Sequence, residues 1–351
     1  MNKVMIGLGN TGSVIVREAA KKNLNDVILF AIDSQTRHVS LDDVASIKYI
    51  PIIADDNDGS GRDRERGRDM FLWNSNNGKL DEMYEICKET DTIFVVTSAA
   101  GGTGSGSCPA LCKQLRTRNE YSNIIPIIIC PNMDDPDAYH LNTTDLMVEL
   151  GEVGIKTYMI FRNPNSSDYR KVNAEIVEAI DILLGNKYET TDNDSIDASD
   201  LNNILMVDGR LFAISVSGDS VDEVSRKLAK EIVSSYQPTW DPSDRGYGVA
   251  AFSMKSINAG EDSKIVFDDI LPKIEHCSDR YKNIVIDDNN GKIDVSLIVA
   301  GLQPVDFKTV EVNYTETASI SENLKKAERP AFMTKRKRRS FAEFEKEMSK
   351  K

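Results

Sequence analysis

Ser98-Ala99-Ala100-Gly101-Gly102-Thr103-Gly104-Ser105-Gly106-Ser107 is the stretch that decides the fold. It follows a short β-branched run, Thr92–Thr97, and precedes a helical pattern. Four glycines interleaved with hydroxyl residues at a strand-to-helix turn aim backbone N–H groups at a common point, a nest for anionic oxygen. A second turn of this kind stands near the amino end, where Gly7-Leu8-Gly9-Asn10-Thr11-Gly12 follows the strand Val4–Ile6 and opens a helix. Asp33, 21 residues after Gly12, closes the next strand. Taken alone this is a GxGxxG dinucleotide fingerprint with an acidic residue for a ribose hydroxyl, although a bare strand-to-helix turn uses the same glycines. A dinucleotide needs one phosphate cradle, and a triphosphate uses two. GxxxxGK[ST] does not occur, so phosphate charge must be balanced by backbone dipoles, a metal and an arginine rather than by a P-loop lysine.

Outward from these turns, short apolar runs alternate with helical stretches. Val4–Ile6, Val27–Ile32, Thr92–Thr97, Ile124–Cys130 and Thr157–Phe161 are β-branched and bounded by Gly, Pro, Asn or Asp. Near-continuous apolar strands imply burial on both faces, hence a parallel sheet between helices, with ligands at the carboxyl ends of its strands. From Ser167 to Leu184, Val172, Ile176, Val177, Ile180, Leu183 and Leu184 make one broad apolar stripe, with Ser166 or Ser167 to cap the helix and Gly185 to end it. Asn186–Ser195 is a polar, acidic loop. Strands at Leu211–Val216, Val249–Met254, Asn283–Ile286 and Lys292–Ala300, with helices near Asp219–Ser235 and Ile265–His276, suggest a second, α+β domain. The expected fold is therefore α/β: a Rossmann-like parallel-sheet nucleotide-binding domain (1–166), a central helix (167–186), a smaller α+β domain with a preceding acidic loop (187–312), and a C-terminal helical and basic tail (313–351).

With 40% apolar and 28% charged residues the chain can bury a sizeable core. No apolar run approaches the roughly 18 residues that span a bilayer, and the start does not read as a signal peptide. Five cysteines without a CxxC pair argue against a disulfide framework or zinc ribbon and suit a reducing cytoplasm. The net charge of −13 is uneven: residues 325–351 hold eleven basic and four acidic residues, net +7, which leaves −20 on 1–324. Such a body repels nucleic acid, and its basic end is an interaction segment.

Gly101-Gly102-Thr103-Gly104-Ser105-Gly106 resembles the signature loop of the tubulin/FtsZ GTPases, GGGTG[ST]G, with Ala100 at the first glycine. The likeness covers roughly residues 1–310. Gly7, Gly9, Asn10, Thr11 and Gly12 match its first phosphate loop, and Asp33 follows at the end of the second strand. Gly59-Ser60-Gly61-Arg62-Asp63-Arg64 looks like its γ-phosphate-sensing loop, though it also reads as a solvated charged loop. Either Asn163 or Asn165 stands where the family has an asparagine for guanine. Tyr169 and Asn173 match its Tyr-x-x-x-Asn, and i, i+4 spacing puts them on one helix face. Tyr can stack on a base, and an Asn amide suits a guanine edge. Ser195-Ile196-Asp197-Ala198-Ser199-Asp200 resembles N-x-D-x-x-D with Ser195 for Asn; by spacing alone Asp197 and Asp200 are equally helix-dipole partners.

The likeness is greatest to phage and plasmid tubulins (TubZ-like, PhuZ-like). It implies a GTPase that polymerises in the cytoplasm of a bacterial host, binds GTP/GDP with Mg²⁺, and contacts itself longitudinally. It further implies that Asp197 and Asp200 polarise water at the next subunit's nucleotide, and that the filaments position or segregate phage or plasmid DNA. The rival from another class is a monomeric NAD(P)-dependent oxidoreductase on a Rossmann fold, resting on Gly7, Gly9, Gly12 and Asp33.

The tail carries Lys335-Arg336-Lys337-Arg338-Arg339, flanked by Phe332, Phe341 and Phe344. At physiological salt the screening length is about 8 Å, so this cluster acts on surfaces it touches. The acidic body of a neighbouring subunit is the expected one, with a DNA-bound adaptor or other cargo as the rival. Deleting residues 325–351 should raise the critical concentration for GTP-driven assembly, and added salt should mimic part of the loss. An unchanged critical concentration in light scattering would rule out the subunit contact.

Overall fold

A computed structural model of the chain describes residues 3–24, 27–34, 46–52, 59–186, 188, 196–239, 248–270, 272, 274, 277–287 and 291–305. In chain order the elements are β1 (Lys3–Leu8), α1 (Gly9–Lys22), β2 (Val27–Asp33), β3 (Ile47–Pro51), α2 (Arg64–Asn76), α3 (Asp81–Cys87), β4 (Thr92–Ser98), α4 (Thr103–Arg118), β5 (Asn123–Cys130), α5 (Asp137–Glu152), β6 (Thr157–Arg162) and α6 (Arg170–Leu183). There follow α7 (Ala198–Leu205), β7 (Gly209–Gly218), α8 (Val221–Ser234), β8 (Gly248–Ser256), α9 (Ala259–Ile270), β9 (Cys277–Ile286) and β10 (Ile293–Leu302).

All these strands join one sheet in the order β3-β2-β1-β4-β5-β6-β7-β10-β8-β9. The run from β3 to β7 is parallel, β10 is antiparallel to β7 and β8, and β9 is parallel to β8. The α/β class and the Rossmann-like parallel sheet of the first half are as the sequence led us to expect. Parallel strands buried on both faces explain the unbroken apolar runs: Ile93, Phe94, Val95 and Val96 of β4 are fully buried.

The second half obeys the two-residue period instead. Leu211 and Ala213 of β7, Val249 and Ala251 of β8, and Ile298 and Ala300 of β10 face one core, shared with the buried stripe of α6. Phe212, Val216, Ala250, Phe252, Val295 and Leu297 face a second core, closed by Val224 and Leu228 of α8 and Val266 of α9. The central helix thus packs on the sheet that both halves share.

Several boundaries differ from expectation. At α6, Ser166 and Ser167 do not cap: Tyr169 is the N-cap residue, without a side-chain bond, and Asp168 Oδ1 accepts from Arg170 N at 3.2 Å. Gly185 does end the helix, at φ +83°. α9 starts at Ala259, not Ile265, because Glu261 and Asp262 favour a first turn that Gly260 disguises, and it ends at Ile270, short of Pro272. β9 begins at Cys277, six residues before Asn283. β3 was not expected; it ends in Pro51 and pairs only with β2, an edge strand of partly exposed residues. Most of Asn186–Ser195, His276, and the whole tail with its basic run and phenylalanines lie outside the described residues.

One carboxylate fastens α6 to the second half. Glu175 accepts from Tyr236 N at 3.0 Å and Gln237 Nε2 at 3.5 Å, while Gln237 exchanges bonds with Ala213 N (3.0 Å) and O (2.7 Å). Burial pushes the Glu175 carboxyl above its ordinary 4.5, against the lowering effect of those donors. Between 4.5 and the raised value the folded chain holds a proton that the unfolded chain has released. This group's contribution is therefore fullest at acid pH and declines as pH rises through the window. Melting temperatures of Glu175→Gln and the parent, followed upward from pH 4.5, should differ by an amount that changes with pH. A constant difference would show that Glu175 does not titrate there.

Candidate nucleotide site

The parallel strands bring the carboxyl ends of β1, β2, β4, β5 and β6 to one edge of the sheet, and the two glycine turns meet there. Gly9 adopts φ +69°, which favours glycine. A Cβ at Gly12 would lie 2.4 Å from Val96 O, and one at Gly104 would lie 2.6 Å from Leu8 O and 2.4 Å from Thr97 Oγ1. Each turn is packed against the end of the strand that leads into the other, where a side chain would not fit. Asn10 is exposed, and Thr11, Ala100 and Gly101 are half-buried, so these backbones form the accessible rim. Ala100 replaces a glycine of the family pattern without strain, since among the described non-glycine residues only Asn23 and Arg62 have positive φ.

A buried hydroxyl chain joins the turn to its neighbours. Ser34 Oγ lies 2.6 Å from Thr103 Oγ1, which donates to Ser60 Oγ at 2.9 Å. Ser105 Oγ bonds back to Gly101 O, so this hydroxyl serves the turn itself. Ser60 abuts Gly102, where a Cβ would lie 2.4 Å from its hydroxyl; Gly59-Ser60-Gly61 therefore sits against the mouth of the turn, with Gly61 exposed. Asp33 is 2% exposed at the end of β2 and accepts from Ser34 N at 2.7 Å, so its carboxylate faces the interior.

At the next strand end, Asn163 is half-buried with its N–H on Cys130 O (3.0 Å), and Asn165 is exposed. Tyr169 is 47% exposed at the start of α6. Asn173 N bonds Tyr169 O at 3.0 Å, one helical turn on, which puts the pair on one face. Sequence reading missed the loop between β5 and α5. There Asn132 N bonds Asp135 Oδ2 (2.8 Å) and Asn132 Nδ2 reaches Pro164 O (3.5 Å), tying this loop to the Asn163–Asn165 segment. Its signal was the run Pro131-Asn132-Met133-Asp134-Asp135-Pro136, turn-forming residues directly after a strand.

The structure does not bring Asp197 and Asp200 to this edge. Asp197 is the N-cap of α7 and accepts from Ser199 N (2.7 Å) and Asp200 N (2.8 Å), while Asp200 Oδ2 accepts from Asp197 N (3.2 Å). This is a capping box, so the helix-capping reading holds whatever else the pair does. α7 lies by the amino ends of the strands. Asn202 bonds Asn123 at the start of β5, and Gly209, just beyond α7, pairs with Thr157 at the start of β6. A strand of six to eight residues at about 3.3 Å each puts the two ends roughly 20–25 Å apart.

Residues 2–168 match the model of the Tubulin/FtsZ family, GTPase domain. The tubulin-like protein CetZ of Methanothrix thermoacetophila is 23% identical over 315 residues, 82% of this chain and 84% of that protein. A GTPγS-form protofilament structure of TubZ from Bacillus thuringiensis serovar israelensis superposes with a TM-score of 0.70 at 14% identity, covering 93% of this chain and 94% of that one. Clostridium botulinum phage c-st TubZ does so at 0.63 and 13%, covering 92% and 96%. At such identities the structural likeness speaks to the fold.

Thr103→Val removes the hydroxyl between Ser34 and Ser60 and leaves two buried hydroxyls short of a partner, which should cost about 1–3 kcal/mol. An unchanged denaturation midpoint would show that the chain is not a stabilising element.

Proposed function

We propose, from the match of residues 2–168 to the GTPase domain of the Tubulin/FtsZ family, that the chain is a filament-forming GTPase of that family whose site is completed between consecutive subunits. The observation that carries this is the separation of the glycine turns from Asp197 and Asp200 at opposite edges of one sheet. A single chain cannot bring them together; head-to-tail stacking does, and a heterologous contact of that kind propagates into a filament. The GTPγS-form TubZ protofilament supports self-association of this fold.

In this reading Gly7, Gly9, Asn10, Thr11 and Gly12, with Ala100 to Gly106, hold the α- and β-phosphates on backbone donors. Gly59, Ser60 and Gly61 read the γ-phosphate. Asn163 or Asn165, with Tyr169 and Asn173, takes guanine. The turns fit a phosphate chain because Gly7, Gly12, Gly102, Gly104 and Gly106 leave no room for a Cβ, which packs the two backbones closely, and α4 presents its amino end. Among the described residues no cluster of three or more His, Cys, Asp or Glu could cage a metal. When bound with the nucleotide, Mg²⁺ would supply positive charge to offset the phosphates. The incoming subunit's Asp200, half-buried in its capping box, and its exposed Asp197 orient the water that attacks the γ-phosphorus. The bond to the bridging oxygen breaks, and GDP, phosphate and a proton leave.

The likeness to phage c-st TubZ favours filaments that position or segregate phage or plasmid DNA in a bacterial cytoplasm, with the basic tail as the point of attachment to a subunit or an adaptor. Among the described helices none is long and apolar enough to cross a membrane. The NAD(P) oxidoreductase is not favoured: the family match is to a GTPase domain, and Asp33 is turned inward.

Asp200→Asn keeps an oxygen for the capping bond and removes the charge. It should bind GTP like the parent, form longer-lived filaments and lose hydrolysis. In the parent, activity per subunit should rise with protein concentration. Constant specific activity from dilute chain to polymer would refute the shared site.

A further inference from the structure

α5 turns one stripe of side chains, Tyr139, Asn142, Asp145 and Glu149, toward the mouth of the glycine turn. Each reaches Arg62, Arg64 at the start of α2, or the turn itself. The Tyr139 ring lies 4.7 Å from the Arg62 guanidinium. Asn142 Nδ2 donates to Ala100 O at 3.2 Å and Arg62 O at 3.5 Å. Glu149 takes Arg64 in a two-point pair, Nη2 to Oε2 at 2.8 Å and Nη1 to Oε1 at 3.3 Å, with Asp145 3.8 Å from Nη1. Arg64 Nη2 also donates to Ser105 O, inside the glycine turn, at 3.2 Å.

Arg64 is the first residue of α2 and 9% exposed. A guanidinium withdrawn from water keeps its place only through its partners, and a bidentate carboxylate fixes its plane. Its terminal nitrogens are spent on α5 and on Ser105 O, so it serves as a strut rather than a phosphate ligand. The backbones meet at the same point: a Cβ on Gly106 would lie 2.1 Å from Arg64 O. The pair therefore fixes the downstream end of the Gly59–Asp63 loop, at the start of α2, against the turn.

We propose that Arg64, anchored by Glu149, is a positioning residue that holds the Gly59–Asp63 loop against the Gly101–Gly106 turn and so sets the preference for a nucleoside triphosphate over the diphosphate. This rests on reading Gly59–Gly61 as the γ-phosphate loop. The diphosphate uses the glycine turns alone, whereas the triphosphate also uses the loop.

The test is calorimetric binding of GTPγS and GDP to the full chain, its Arg64→Gln and Glu149→Gln forms, and the double variant. GTPγS affinity should fall about tenfold in either single variant, the scale of a lost pairwise coupling, with GDP affinity changed less than about twofold. The double variant should be no worse than the singles, and Arg64→Lys, which keeps the charge toward Glu149, should restore part of the ratio. Equal losses for both nucleotides, or no loss, overturn the proposal. Should Arg64→Gln fail to fold, Glu149→Gln, which leaves Arg64 on Ser105 O and Asp145, gives the same reading. A parent chain that binds ATPγS as well as GTPγS would instead overturn the guanine assignment, while an unchanged triphosphate-to-diphosphate ratio in the variants of a guanine-selective parent overturns this inference alone.

Discussion

Where β1 and β4 turn into their helices, two stretches of backbone occupy space that side chains would otherwise fill. Gly12 abuts Val96 O, and Gly104 abuts Leu8 O and the Thr97 hydroxyl. This contact depends on adjacent parallel strands that end level, which β1 and β4 do, in register from Lys3↔Thr92 to Leu8↔Thr97. It places the amino ends of α1 and α4 side by side, so their N–H groups and dipoles converge. Other parts of the site lean on it: Ser34 and Ser60 reach it through Thr103, and Arg64 and Asn142 through Ser105 O and Ala100 O.

The same parallel geometry creates the second end. α6, fourteen residues or about 21 Å long, starts beside Asn163–Asn165 and ends where Lys3 at the start of β1 meets Leu184 O. It carries the chain from the edge that holds the glycine turns to the opposite edge, where Asp197 caps α7. Glu175 and Gln237 fasten the helix midway to β7 and to the segment after α8. A displacement of α6 therefore loads the second half directly.

Much of this was legible in the sequence. The glycine turns announce themselves by composition at strand ends, and the α6 stripe by its 3.6-residue period, since Val172, Ile176, Val177, Ile180, Leu183 and Leu184 are all buried. β3 escaped because an edge strand paired on one side need not be apolar, and the start of α9 because Gly260 resembles a break. Asp197 and Asp200 show the limit of spacing as evidence: i, i+3 carboxylates suit a capping box and a water-polarising pair alike, and the capping box is present. The Arg64–Glu149 strut was invisible, because residues 85 positions apart meet only through the packing of α2 and α5 around α4.

The central claim, one site built from two chains, is tested most directly by mixing two inactive variants. Asp200→Asn keeps the nucleotide end and loses the acidic end; a Tyr169→Ala, Asn173→Ala double variant loses the proposed guanine contacts and keeps Asp197 and Asp200. Each alone should hydrolyse GTP poorly, and an equimolar mixture should regain a substantial part of the parent activity as an intact acidic end meets an intact nucleotide end. A mixture no more active than the mean of its components, with both variants shown to co-assemble, would contradict the account.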